Sequence, residues 1–165
     1  MTRIAFLLER VSTSIGVAVA WLGIPAMICL AALQPIARWL GWESGAPFSE
    51  ASTFAFLALT MTSFGYAYAQ GAHVRLDVFS RRFAPRANAA IELAGTTLVL
   101  LPLCAVIVAD GFDSAWRSFQ QGERWADTAW ALQWSVRAWV PLGFLLLMCA
   151  GLASSLRAVL AMARK

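Results

Sequence analysis

The sequence predicts an all-α integral membrane protein of four transmembrane helices, with an interfacial helical segment between the third and fourth. Two facts of composition lead there: 60% of the 165 residues are hydrophobic and only 13% are charged. Soluble domains carry about 25% charged residues, so this chain lacks the side chains to coat a water-facing surface. The third observation is distribution. Apolar runs that approach the roughly 20 residues needed to cross a bilayer recur four times, with the charges gathered between them. The length suits one membrane domain over 1–165 rather than two.

The first span, about 12–37, contains "SIGVAVAWLGIPAMICLAAL", and its Pro25 is placed to kink a helix. Ahead of it, "MTRIAFLLE" reads as a short amphipathic lead-in along the membrane surface. A cleaved signal peptide is the weaker reading, because the apolar run exceeds a signal's h-region and further spans follow.

The second span, 51–70, is "ASTFAFLALTMTSFGYAYAQ". Pro47, then Ser49 as N-cap, then Glu50 in the first turn make a helix start in which a carboxylate favours the helix dipole. Glu50 alternatively meets an arginine or a backbone donor of a neighbour. Ala51, Ala55, Ala58, Thr62, Gly65 and Ala69 are spaced by fours and threes, which puts them on one helical face. In lipid, close helix approach relies on small side chains, so this face is expected to pack along its length. Phe54, Phe56, Leu57 and Phe64 fall opposite and are assigned to lipid.

The third span, 89–109, is "AAIELAGTTLVLLPLCAVIVA", with Pro102 as a second kink candidate. The fourth, 139–162, is "WVPLGFLLLMCAGLASSLRAVLAM", with Pro141 suited to a first turn. Between them lies "DGFDSAWRSFQQGERWADTAWALQWSVRAW", carrying Trp116, Trp125, Trp130, Trp134 and Trp139. It is expected to form helical turns at the outer interface, broken near Gly122. The tryptophans suit an aromatic belt at headgroup depth, or a docking surface for a periplasmic protein.

Basic flanks set the orientation. Arg3 and Arg10, then Arg75, Arg81, Arg82 and Arg86, then Arg157, Arg164 and Lys165 collect on one side. The other has Arg38, Arg117, Arg124 and Arg137, together with the acids Glu43, Glu50, Asp110, Asp113, Glu123 and Asp127. Both termini are therefore expected to be cytoplasmic. The net charge of +4 does not signal nucleic acid, since the basic residues sit at the ends of apolar runs and not along a recognition helix. Cys29, Cys104 and Cys149 lie singly in apolar segments, without a C-x-x-C pair, and read as packing residues.

The densest charge lies in "GAHVRLDVFSRRF", from Gly71 to Phe83. His73 and Asp77 are four apart and would share a helical face. A metal site needs more ligands, and this is the chain's single histidine. A basic cytoplasmic loop explains the stretch, with Arg81, Arg82 and Arg86 reaching anionic lipid headgroups. Within the spans, Glu92 and Arg157 sit near the cytoplasmic ends, within reach of headgroups. No set of midplane ionisable residues, broken helices or internal repeat marks an autonomous transporter.

Glu50 opening the second span, "G-x-H-V-R-x-D" from Gly71 to Asp77 just after it, and "P-L-G-F" at Pro141 to Phe144 resemble a family. It is the small membrane subunit of TRAP transporters, the Q-type subunit of tripartite ATP-independent periplasmic transporters. The resemblance extends over most of the chain, four spans and both cytoplasmic termini included. It implies a bacterial inner-membrane uptake system in which a periplasmic binding protein captures an organic acid. A large membrane subunit then moves the acid with a sodium gradient. The small subunit would be a scaffold beside the large one that helps receive the binding protein. Glu50, Gly71, His73, Arg75, Asp77, Pro141 and Gly143 occupy matching positions, with structural roles; the resemblance implies no catalytic residue, cofactor or metal. The long tryptophan-rich third loop departs from the shorter family members. Two other classes are weighed against this one. A membrane redox-anchor subunit would need a cysteine pair or paired histidines, and an autonomous four-helix exporter an embedded carboxylate, for which Glu92 is the candidate.

Overall fold

A computed structural model describes residues 2–41, 46–70, 85–124 and 133–163, and every regular element among them is helical. Helix α1 spans Thr2–Trp39 and α2 spans Ala46–Ala69. A third rod combines α3 (Pro85–Gly95), one π-helical turn (Thr96–Leu100) and α4 (Leu101–Gln121). Helix α5 spans Gln133–Ala163.

Several local expectations are corrected. The stretch before residue 12 is continuous with the first long helix and forms no separate lead-in. Pro25 lies inside α1 as expected, and Pro35 with it. The second helix starts at Ala46, so Ser49 falls within its first turn and not ahead of it. Pro141 is interior to α5, because that helix begins at Gln133. Residues 110–121 continue the third rod as α4 and do not form a separate interfacial helix. The helix runs unbroken through Gly111 to Gln121, and the break falls at Gly122 as expected.

The π turn has a local cause. Pro102 has no N–H for the Leu98 carbonyl, and its ring crowds that carbonyl. The backbone widens just before it, and the Leu101 N–H reaches the carbonyl of Thr96, five residues back. At the far end Gly122 is left-handed, with φ 61°. The N–H of Gly122 bonds the Phe119 carbonyl at 3.2 Å and that of Glu123 bonds the Ser118 carbonyl at 3.2 Å. Those two bonds close the helix in a Schellman turn. Helix α1 stops similarly, with Gly41 at φ 75°.

Helix α5 is the hub. It packs against α1, α2, the π turn, α3 and α4, while α1 pairs closely with α2. Three stretches are long and apolar enough to cross a membrane: Phe6–Trp39, Ala87–Gln121 and Gln133–Leu160. The most apolar window of the last is 44% buried, against 6% and 11% for the other two. Helix α2 is not among them. Its serines, threonines and tyrosines lower its hydropathy, and Ala58, Thr62 and Gly65 are buried between neighbouring helices.

Contacts give the helix directions. Gly16 of α1 lies against Thr62 and Tyr66, and Gly23 against Leu59, so α1 and α2 run antiparallel. Phe54 meets Trp139, Gly143 meets Met61 and Phe64 meets Phe144, so α2 and α5 run parallel. Gly111 lies against Pro141 and Gly151 against Leu100, so the third rod runs antiparallel to α5. Thr2 and Ala163 therefore lie at the same end of the bundle. The third rod, Pro85–Gln121, is about 55 Å long at 1.5 Å per residue, well beyond the roughly 30 Å of a bilayer's hydrocarbon.

Candidate functional site

In lipid, apolar side chains gain little by leaving acyl chains for each other. Helix contact then depends on small residues and on polar groups that find partners. Both are present, and they separate into a packing seam and two polar clusters.

The seam joins α1, α2 and α5. Ser12 is fully buried and its Oγ donates to the Leu146 carbonyl at 3.4 Å. Gly65 faces both: a Cβ there would collide with Ser12 Oγ and lie 3.0 Å from the backbone carbon of Leu146. A Cβ on Gly143 would lie 2.5 Å from the Met61 carbonyl oxygen. Thr62, 2% exposed, satisfies its hydroxyl within α2 by donating to the Ala58 carbonyl at 2.7 Å. That bond satisfies a polar atom buried between helices. The small residues Ala58, Thr62 and Gly65 thus face helices of this same chain. Phe54 and Phe64, assigned to lipid from the sequence, instead pack edge-on against Trp139 and Phe144, at 6.0 and 5.9 Å. Only one side of the helix is left for lipid because α1 and α5 both pack on α2, and Phe56, 59% exposed, lies on that side.

The first polar cluster lies toward the end holding Thr2 and Ala163. Ser154 Oγ donates to Glu92 Oε1 at 2.7 Å, tying α5 to α3. Tyr68 Oη and Thr96 Oγ1 share a hydrogen bond at 2.9 Å, tying α2 to the π turn. Glu92 was expected to reach the headgroups; it is half-buried and bonded within the bundle. An i, i+4 step from Glu92 to Thr96 brings both to the side where α5 packs.

The second cluster caps the opposite end, where α4 turns at Gly122 and α5 begins. Arg137 forms an ion pair with Glu123 at 3.0 Å, and its Nη1 lies 3.5 Å from Ser114 Oγ. Gln133 donates its backbone N–H to the Glu123 carbonyl at 3.1 Å. With its side-chain amide oriented to satisfy both ends, Gln133 also meets the Arg124 carbonyl at 3.3 Å and Arg137 at 3.2 Å. Phe119 stands edge-on to Trp134 and stacks on Trp116, both at 5.7 Å between centroids. Trp116 is 59% exposed. On the neighbouring face of α4, Arg117 pairs with Asp113.

A groove of about 460 Å³ runs between α1 and α2 on the outside of the bundle, walled by Val17, Trp21, Ile24, Phe56, Leu59 and Tyr66 among others. It is almost wholly apolar.

Of the residues singled out in the sequence, Glu50 is half-buried near the start of α2, and Pro141 is fully buried against Gly111. Gly71, His73, Arg75, Asp77, Trp125 and Trp130 lie outside the described residues. Sequence reasoning missed Ser12, the partner of Gly65, and the Arg137–Glu123 and Glu92–Ser154 pairs. Gly16 and Gly23, seven apart on α1, were a legible sign of the α1–α2 contact. The polar pairs had no such sign, because their members come from different helices.

No curated protein and no solved structure matches the chain. The family model for "Tripartite ATP-independent periplasmic transporters, DctQ component" matches residues 27–161. That match covers the last third of α1 and all of α2 to α4, and it runs nearly to the end of α5. It coincides with long apolar helices joined by a polar-capped hairpin, and the DctQ family is a transporter component, not an enzyme family. The chain belongs to the DctQ family, the small membrane component of TRAP transporters.

Proposed function

We propose that this chain is the scaffold subunit of a tripartite secondary transporter that takes up organic acids with a sodium gradient. It packs beside a large permease subunit in the bacterial inner membrane and helps dock a periplasmic binding protein. Four helices span the membrane, α2 being the fourth, supported by its 24 residues and its place between α1 and α5. Both termini are cytoplasmic, which agrees with their shared end of the bundle and with the basic flanks.

The observation that carries the scaffold reading is where the polar contacts lie. Glu92–Ser154 and Tyr68–Thr96 sit toward one end and Arg137–Glu123 at the other. Between those levels Cys104, Gly143, Leu147 and Ala150 make apolar packing, and the buried hydroxyls of Ser12 and Thr62 are taken up by the backbone carbonyls of Leu146 and Ala58. A conduit needs polar groups across the midplane; a support does not. The broad apolar exposure of α1, with Trp21 at 78% and Leu22 at 77%, supplies surface for lipid and for a larger membrane partner.

The test is reconstitution with the large subunit and the binding protein. Uptake should require this chain, and this chain alone should transport nothing. Transport by the isolated chain would overturn the scaffold reading in favour of an exporter. In the same system Asp77→Asn or Arg75→Gln should lower the amount of assembled complex, while uptake per assembled complex stays near normal. Arg81→Gln should be mild, losing about 1 kcal/mol of headgroup attraction. Abolished turnover in fully assembled His73→Ala or Asp77→Asn complex would place that loop in transport itself.

Orientation is checked separately. In a chain without native cysteines, a cysteine at Ala72 should be protected from an impermeant thiol reagent in intact cells, whereas one at Gln121 should react. The opposite pattern would invert the topology.

A further inference from the structure

The residue that stands out beyond this reading is Arg137. It lies one turn before Pro141 on α5, and Pro141 offers no N–H to the carbonyl four residues back, which is that of Arg137. The helix therefore lacks one backbone hydrogen bond between Arg137 and Pro141, where Pro141 lies against Gly111 of α4. The Arg137 side chain lies one turn nearer the end of α4. It reaches Glu123 just past the Gly122 turn, at 3.0 Å, and Ser114 two turns back on α4, at 3.5 Å. Gln133, one turn earlier on α5, closes on the same groups through the Glu123 carbonyl. A guanidinium suits this work because its charge pairs with Glu123, at ion-pair distance without hydrogen-bond alignment, while a separate nitrogen reaches the Ser114 hydroxyl.

The consequence is positional. Trp134 stands under Phe119, and Phe119 stacks on the exposed Trp116. The register of α5 against α4, held by Arg137, decides where those rings sit at the bundle's outer end.

We propose that Arg137 is a positioning residue: through Glu123 and Ser114 it fixes how α4 and α5 meet, and so sets the outer surface that the binding protein engages. The inference rests on the scaffold reading above. Arg137 touches no transported substrate in this scheme and acts through the rings and the hairpin it holds.

The experiment measures uptake in proteoliposomes holding the assembled complex, as a function of the concentration of its substrate-loaded binding protein. Arg137→Gln and Glu123→Gln should each raise the half-saturating concentration about tenfold, equivalent to about 1.4 kcal/mol, at an unchanged maximal rate per complex. The charge-reversed pair, Arg137→Glu with Glu123→Arg, should recover most of that loss, since the ion pair is restored with its ends exchanged. Unchanged half-saturation in both single variants would overturn the proposal. So would a fall in maximal rate alone, or no recovery in the reversed pair, because a loss of fold would not be mended by exchanging charges. A wild-type rate independent of binding-protein concentration would instead remove the docking role itself, and this inference with it.

Discussion

Gly143→Leu is expected to cost more than about 3 kcal/mol and to leave little folded protein in detergent. Overpacking a well-filled core costs about 1–3 kcal/mol, and more where nothing can move aside. At Gly143 the obstacle is backbone: an added Cβ lies 2.5 Å from the Met61 carbonyl oxygen and 2.8 Å from its carbonyl carbon. No rotamer change relieves that, so α5 would have to separate from α2 along their contact. Gly143→Ala should already show a large loss. The measurement is the monodisperse fraction and the thermal midpoint of the purified chain, with Phe56→Leu as a control at an exposed position on α2. Near-normal stability in Gly143→Leu would mean that α2 and α5 do not approach as described.

Gly65→Leu should be nearly as damaging, for a different reason. A Cβ there meets Ser12 Oγ from α1 and the Leu146 backbone from α5 together. Ser12 is itself fully buried and holds the Leu146 carbonyl, so the substitution disturbs a junction of three helices. We expect a loss of about 3 kcal/mol, the upper end for overpacking. Gly65→Ala should cost less, and Ser12→Gly beside it should recover part of that cost by removing one of the two obstacles. Neighbours that share a contact are non-additive, and an additive double mutant would show that Ser12 and Gly65 do not touch. The loss should appear in the isolated chain, because both partners of Gly65 belong to it. A defect confined to assembly with the large subunit would contradict that placement.

The small-residue face on α2 was readable because spacing alone puts Ala58, Thr62 and Gly65 on one side of a helix. Its partner was not. Spacing gave no means to choose between a helix of this chain and one of another subunit, and it placed Phe64 in lipid when Phe144 covers it. Gly122 was readable as a break, since a left-handed turn favours glycine. That α4 would run unbroken to Gln121 was masked by the tryptophans and charges of that stretch, which suit a membrane surface as well as a long helix. The stretch from Gly71 to Asp77, which carried the family resemblance, lies outside the described residues.

Composition and the recurrence of apolar runs determined that this is a helical membrane protein, since a chain with so few charges cannot cover a soluble core. The order of its motifs determined the family. Only the tertiary structure decided that α5 is the hub, that Ser12 sits in the elbow of Gly65, that Glu92 bonds Ser154, and that Arg137 spans two helices. The reason is the solvent. In water, apolar periodicity points a helix face toward its core, but in lipid an apolar face is equally at home against acyl chains or protein. What selects one helix partner over another is fit between small residues and hydrogen bonds between polar ones. Those pairings join positions as far apart as Ser12 and Leu146, and they exist only once the helices are side by side.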